Sequence, residues 1–123
     1  MLKNKVEELI DKYLDEVISI RRYLHQNPEL SLKEFNTSEF IVKELNKIGL
    51  DAQRGRENNG VVSNLNLGKG EKTLMLRADM DALPIQEETN FEFKSKNPGV
   101  MHACGHDVHT SILLGVSKVL NEI

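Results

Sequence analysis

Three of the four histidines, the one cysteine and an aspartate fall inside ten residues, MHACGHDVHT, Met101 to Thr110. Thiolate, neutral imidazole and carboxylate are the ligands that transition metals take from proteins, and Zn²⁺ accepts sulfur, nitrogen and oxygen together. The stretch therefore reads first as part of a metal site. Cys104 and His106 flank Gly105, where the backbone is free to turn tightly enough for side chains two residues apart to converge on one ion. Asp107 and His109 are left to orient ligands or to cap the element that follows.

Other chemistries compete. A lone cysteine or histidine is most often a buried residue satisfied by packing or hydrogen bonds, and a cysteine beside a histidine base is also the pattern of a thiol nucleophile. The spacing argues against the nucleophile, since such pairs normally meet from distant parts of a chain. A zinc finger needs paired groups of four ligands, and no second cysteine exists. Two further carboxylates, Asp79 and Asp81, stand where an apolar segment ends just before Pro84. Strand ends collect functional side chains in α/β folds, but aspartate before proline also ends strands for local reasons. Both readings stand at this point.

These groups need a scaffold. The chain has 123 residues, the length of one domain, and its 39% hydrophobic and 28% charged content suits a water-exposed globular fold. A net charge of −3 implies no basic surface for nucleic acid or anionic membrane. One cysteine permits no internal disulfide, which fits a reducing cytoplasm. The opening MLKNKVEELIDKY has no continuous apolar run, so it is expected to be neither a signal peptide nor a membrane span, and the protein is expected in the cytoplasm.

Along the chain, Val6, Leu9, Ile10, Tyr13, Leu14, Val17, Ile20 and Leu24 recur at helical spacing, and Pro28 closes that helix. Arg21, Arg22 and His25 then lie in its last turns, where cations meet the negative end of the helix dipole. Ser31 and Glu34 read as a capping box opening a second helix that Gly49 terminates. Leu50 to Arg54 reads as a short strand and Arg54 to Gly60 as a turn. Val61 to Leu67 alternates as a half-buried strand. Residues 68–71 make a short link, which predicts an antiparallel pair with Thr73 to Met80, a segment apolar enough to sit in the middle of a covered sheet. Residues 82–100 form a long connection, functional or carrying a hairpin, whose Glu87, Glu88 and Glu92 read as a solvated face. Ile112, Leu113, Val116, Val119, Leu120 and Ile123 mark a third helix, with Asp107 or Thr110 as its cap.

Three segments, RRYLHQNPELSLKE (Arg21 to Glu34), LRADMDALPIQEE (Leu76 to Glu88) and NPGVMHACGHDVHT (Asn97 to Thr110), resemble in order the N-terminal third of the N-acyl-amino-acid amidohydrolases. This family holds aminoacylases, hippurate hydrolases, N-acetyldiaminopimelate deacetylases and hydrolases of indole-acetyl-amino acids. The resemblance implies an α/β fold, the N-terminal part of a mixed-sheet, helix-covered co-catalytic metallopeptidase domain. It also implies two divalent metals per site, drawn from Zn, Mn, Co or Ni, a small N-acyl amino acid as substrate, and a homodimer for the complete enzyme. By the same resemblance Cys104 and His106 are metal ligands and Asp81 orients a ligand. Asp79 stands where many wider relatives carry a metal-binding histidine.

Family members continue into adjacent glutamates that supply a general base and a ligand, two later histidines and an inserted lid domain. None of these is in the sequence, so residues 1–123 are expected to be a truncated part of the catalytic domain. The competing class is a non-catalytic remnant or a fragment that works only with a complementary chain. Alone, the chain is expected to hydrolyse no N-acyl amino acid, to hold metal weakly and to associate through an open apolar edge.

Overall fold

The computed structural model describes residues 1–68 and 70–123. In order, it contains α1 (Leu2–Gln26), α2 (Phe35–Lys47), β1 (Ala52–Arg54), β2 (Val61–Ser63) and α3 (His106–Glu122). Helix α1 follows the expected apolar stripe and ends at the Asn27 cap, one residue before Pro28. Helix α2 ends as expected: Gly49 adopts φ 84, and the Leu50 amide donates to the Leu45 carbonyl at 3.1 Å, the closing bond of a left-handed helix stop.

The start of α2 differs from the capping-box expectation. Leu32 takes a left-handed φ of 67, which delays the helix to Phe35, and Glu34 forms no side-chain cap. Glu34 instead is buried and accepts from the Asn59 side chain at 3.2 Å. The first-turn amides find Glu29: Thr37 donates to Oε1 from its amide at 2.6 Å and from its hydroxyl at 2.7 Å, and the Asn36 amide reaches Oε2 at 3.3 Å. A carboxylate seven or eight residues upstream thus takes the role expected of Ser31.

The hairpin also differs. β1 and β2 pair antiparallel in the register Ala52↔Ser63, Gln53↔Val62 and Arg54↔Val61. The turn between them closes as expected, with the Gly55 amide donating to the Gly60 carbonyl at 2.8 Å and the Gly60 amide to the Asn58 side chain at 2.8 Å. The second partner was expected to be Thr73 to Met80, but that segment forms no strand, and Met75 is 83% exposed. A strand buried on both faces needs ladder partners at its edges and cover on each side. The described residues offer it neither, and only its end, Met80, packs against the core. Lys69, in the link expected before it, lies outside the described residues.

The core joins Ile20 and Leu24 of α1, Ile41 and Leu45 of α2, Leu50, and Leu114 of α3. Helix α3 lies against α1 so closely that a Cβ on Gly115 would meet a Val17 methyl at 2.7 Å, hence glycine at that crossing. The connection over residues 82–100 carries no hairpin of its own. It is fastened at both ends: the Ala82 amide donates to the Glu29 carbonyl at 2.8 Å, and Leu83 and Met101 exchange backbone bonds of 2.9 and 3.0 Å. Asp81 is thereby brought beside the residues that precede α3. No helix among the described residues is long and apolar enough to cross a membrane.

Candidate metal centre

Gly105 makes the turn that sets the site. It adopts φ 88 as the residue before the first turn of α3, a conformation that costs any residue with a Cβ roughly 1–2 kcal/mol. Cys104 on one side is exposed and free of any disulfide. His106 on the other opens the helix.

His106 is held by Asp81. Its Nδ1 lies 2.9 Å from Asp81 Oδ1 and 2.9 Å from the Asp81 carbonyl oxygen. Both partners are acceptors, so Nδ1 carries the hydrogen, which in a neutral ring puts the lone pair on Nε2. Nε2 makes no hydrogen bond among the described residues. This is the arrangement by which an outer carboxylate fixes the tautomer of a metal-binding imidazole. Asp79 is placed otherwise. Its carboxylate is taken by Arg77 at 2.6 Å, and only its backbone carbonyl faces the helix, accepting from the Thr110 hydroxyl at 3.0 Å.

The remaining members of the stretch divide. His109 is exposed, its ring 5.8 Å from that of His106. His102 is buried with neither ring nitrogen hydrogen-bonded, and burial pushes its imidazole below the usual range against the pull of Asp107. Neither Asp107 nor Thr110 caps α3, because Gly105 occupies the cap position. Asp107 instead turns inward, 1% exposed, with Oδ2 accepting from Arg21 Nε at 3.0 Å and lying 2.8 Å from His25 Nδ1.

Two residues outside the stretch meet Asp107 or its partners. His25 occupies the last turn of α1, as expected, and carries contacts that its position did not announce. It is 2% exposed and spans Asp107 and Glu87, with Nε2 3.0 Å from Glu87 Oε1. Glu87 is buried too, contrary to the solvated face expected. Its carboxylate also accepts from the Ser95 amide at 2.9 Å and from the Thr89 hydroxyl. Burial alone would push this carboxyl up, but the bonds from Thr89, Ser95 and His25 outweigh it and hold it below the ordinary value. The signal available in the sequence was the repeat of Ser and Thr donors close after Glu87; it is weak, since such residues are common in any loop.

The donor chemistry fits a divalent transition metal in part. A free thiol and an imidazole whose Nδ1 is tied to Asp81 stand on either side of one glycine. Among the described residues no group of three or more His, Cys, Asp or Glu side chains is placed to hold an ion.

Residues 75–123 match Peptidase family M20/M25/M40. The chain is 46% identical over 124 aligned residues to the N-acyl-L-amino acid amidohydrolase of Geobacillus stearothermophilus, covering 100% of this chain and 33% of that protein. It is 49% identical to thermostable carboxypeptidase 1 of Saccharolobus solfataricus, over 97% of this chain and 30% of the relative. The crystal structure of a dinuclear metal-binding M20 peptidase from Bacillus subtilis superposes with a TM-score of 0.81 at 38% identity, covering 91% of this chain and 32% of that one. The chain spans about a third of the length of the curated relatives it matches. At these identities, and with this fold, the chain is homologous to the N-terminal region of the amidohydrolases and peptidases of family M20/M25/M40.

Proposed function

We propose that these residues form one side of the metal cradle of a hydrolase that cleaves the amide bond of N-acyl amino acids, with Cys104 and His106 as ligands and Asp81 as the residue that orients His106. The observation that carries this reading is the pair of 2.9 Å contacts from Asp81 to His106 Nδ1, which leaves Nε2 as the lone-pair nitrogen beside an unpaired thiol. Divalent metals, two to a site and drawn from Zn, Mn, Co or Ni, would polarise the acyl carbonyl and lower the pKa of bound water. Asp81 keeps the His106 ring in one tautomer and one orientation. Asp79, held by Arg77, is not assigned as a ligand. The substrate class follows the N-acyl amino acid amidohydrolase relative; a peptide with a free carboxyl end, as the name of the carboxypeptidase relative suggests, is the competing substrate.

No residue of this chain is assigned as the general base. Glu87, the most enclosed carboxylate near the site, has its oxygens occupied by His25, Ser95 and Thr89. The partial ligand set favours a second conclusion alongside the first: this chain alone turns over no substrate.

The test is the alkylation rate of Cys104 with and without Zn²⁺ or Mn²⁺, beside an assay on N-acetyl and N-benzoyl amino acids. A coordinated thiolate is shielded, so metal should slow alkylation and a chelator should restore it. An alkylation rate indifferent to metal overturns the assignment of Cys104. Metal-dependent turnover that survives repurification and vanishes in Cys104→Ala overturns the conclusion that the site is incomplete.

A further inference from the structure

Apart from the buried pair of Lys118 and Glu44, the described residues bury a cluster of ionisable side chains around His25. His25 of α1 lies between two carboxylates, with Nδ1 2.8 Å from Asp107 Oδ2 and Nε2 3.0 Å from Glu87 Oε1. Each ring nitrogen thus faces its own carboxylate oxygen. Arg21 donates to the same Asp107 oxygen at 3.0 Å, and the ring of Phe93 packs edge-on against the imidazole at 5.6 Å. All three central groups are almost wholly withdrawn from water.

Stability alone accounts poorly for such a cluster, because well-packed apolar side chains of similar volume commonly serve a core as well or better than buried ions. Its position in the chain is more informative. Asp107 directly follows His106 in the first turn of α3, so the side chain that fixes Asp107 also fixes the rotation of that turn about its axis. The rotation decides where the His106 ring points and whether it meets Asp81. Through Glu87, the same imidazole ties that turn to residues 87–95, inside the connection that runs from Asp81 to Met101.

We propose that His25 is a positioning residue: clamped between Glu87 and Asp107, it holds the first turn of α3 in the orientation that presents Cys104 and His106 to a metal. This rests on the metal reading given above, and the experiment separates the two. The full 123-residue chain is titrated with Co²⁺ and followed by the thiolate-to-cobalt absorption band, in the unaltered chain, in His25→Leu, and in Ile41→Val as a control that loosens the core without touching the cluster. Circular dichroism confirms the fold of each.

His25→Leu should weaken Co²⁺ binding by about tenfold or more, the scale expected when the outer support of a ligand is lost. Ile41→Val should leave it within about twofold on the same scale. Unchanged affinity in His25→Leu, or an equal loss in both variants, overturns the proposal. A missing cobalt band in the unaltered chain overturns the metal reading itself, and this inference with it. If His25→Leu does not fold, His25→Gln, which keeps a donor toward one carboxylate, is read against the same outcomes.

Discussion

Asp81 grips the Nδ1 of His106 with two oxygens at once, its side-chain Oδ1 and its own backbone carbonyl, each at 2.9 Å. The carbonyl fixes the ring against the backbone at Asp81, and the carboxylate places a negative charge beside Nδ1. These two effects can be separated. Asp81→Asn keeps an oxygen and the backbone contact but removes the charge, so the fold should persist by circular dichroism. Metal affinity should fall by on the order of 10–100-fold. Isothermal titration with Zn²⁺ or Co²⁺ measures it, and unchanged affinity would return Asp81 to the role of a residue that merely ends an extended segment.

What could be read from residue types was local. The stripe from Val6 to Leu24, the stop at Gly49 and the turn at Gly105 each follow from a side chain or a missing Cβ acting on its own backbone. The motif resemblance implied that Asp81 orients a ligand without saying which; its contact with His106, 25 residues away, is not encoded in any spacing. Partners chosen by the fold stayed hidden. Glu29 caps α2 across seven and eight residues, and His25 meets Asp107 across 82, and no periodicity encodes either. Thr73 to Met80 failed for the opposite reason. Its apolar pattern reports an environment of neighbours, and the described residues supply only a short hairpin that pairs elsewhere.

Acid should test the buried cluster through Glu87. Burial by itself would raise this carboxyl, but the bonds from Thr89, Ser95 and His25 hold it below the ordinary 4.5. A group whose folded pKa is depressed contributes stability that is fully present above its unfolded value and is lost as pH falls through the folded one. Glu87→Gln removes that contribution, a loss of roughly 1.5–3 kcal/mol for hydrogen bonds to a buried charge. The melting temperatures of the unaltered chain and Glu87→Gln should therefore differ near neutral pH and converge below the ordinary value of 4.5. A gap that stays constant down to about pH 2 would show that the ionised carboxylate adds nothing.

The entry to α2 offers a test of which residue caps it, because sequence and structure name different ones. Ser31 and Glu34 have the spacing of a capping box, yet the helix opens at Phe35 with no side-chain cap from Glu34. Its first-turn amides at Asn36 and Thr37 donate to Glu29, and the Thr37 hydroxyl adds a third bond. An anion at a helix N-terminus also meets the positive end of the dipole, worth about 0.3–1 kcal/mol. Glu29→Ala removes cap and charge together and should cost roughly 0.5–2 kcal/mol, the range measured for lost N-caps. Ser31 is exposed, so Ser31→Ala should stay within about 0.5 kcal/mol of the unaltered chain. The consequence of losing Glu29 should extend past α2, since its backbone carbonyl accepts from the Ala82 amide at 2.8 Å, one residue after Asp81. Urea denaturation of both variants measures the order. A larger loss in Ser31→Ala than in Glu29→Ala would mean that the capping box forms after all and that Glu29 is only a neighbour of the helix.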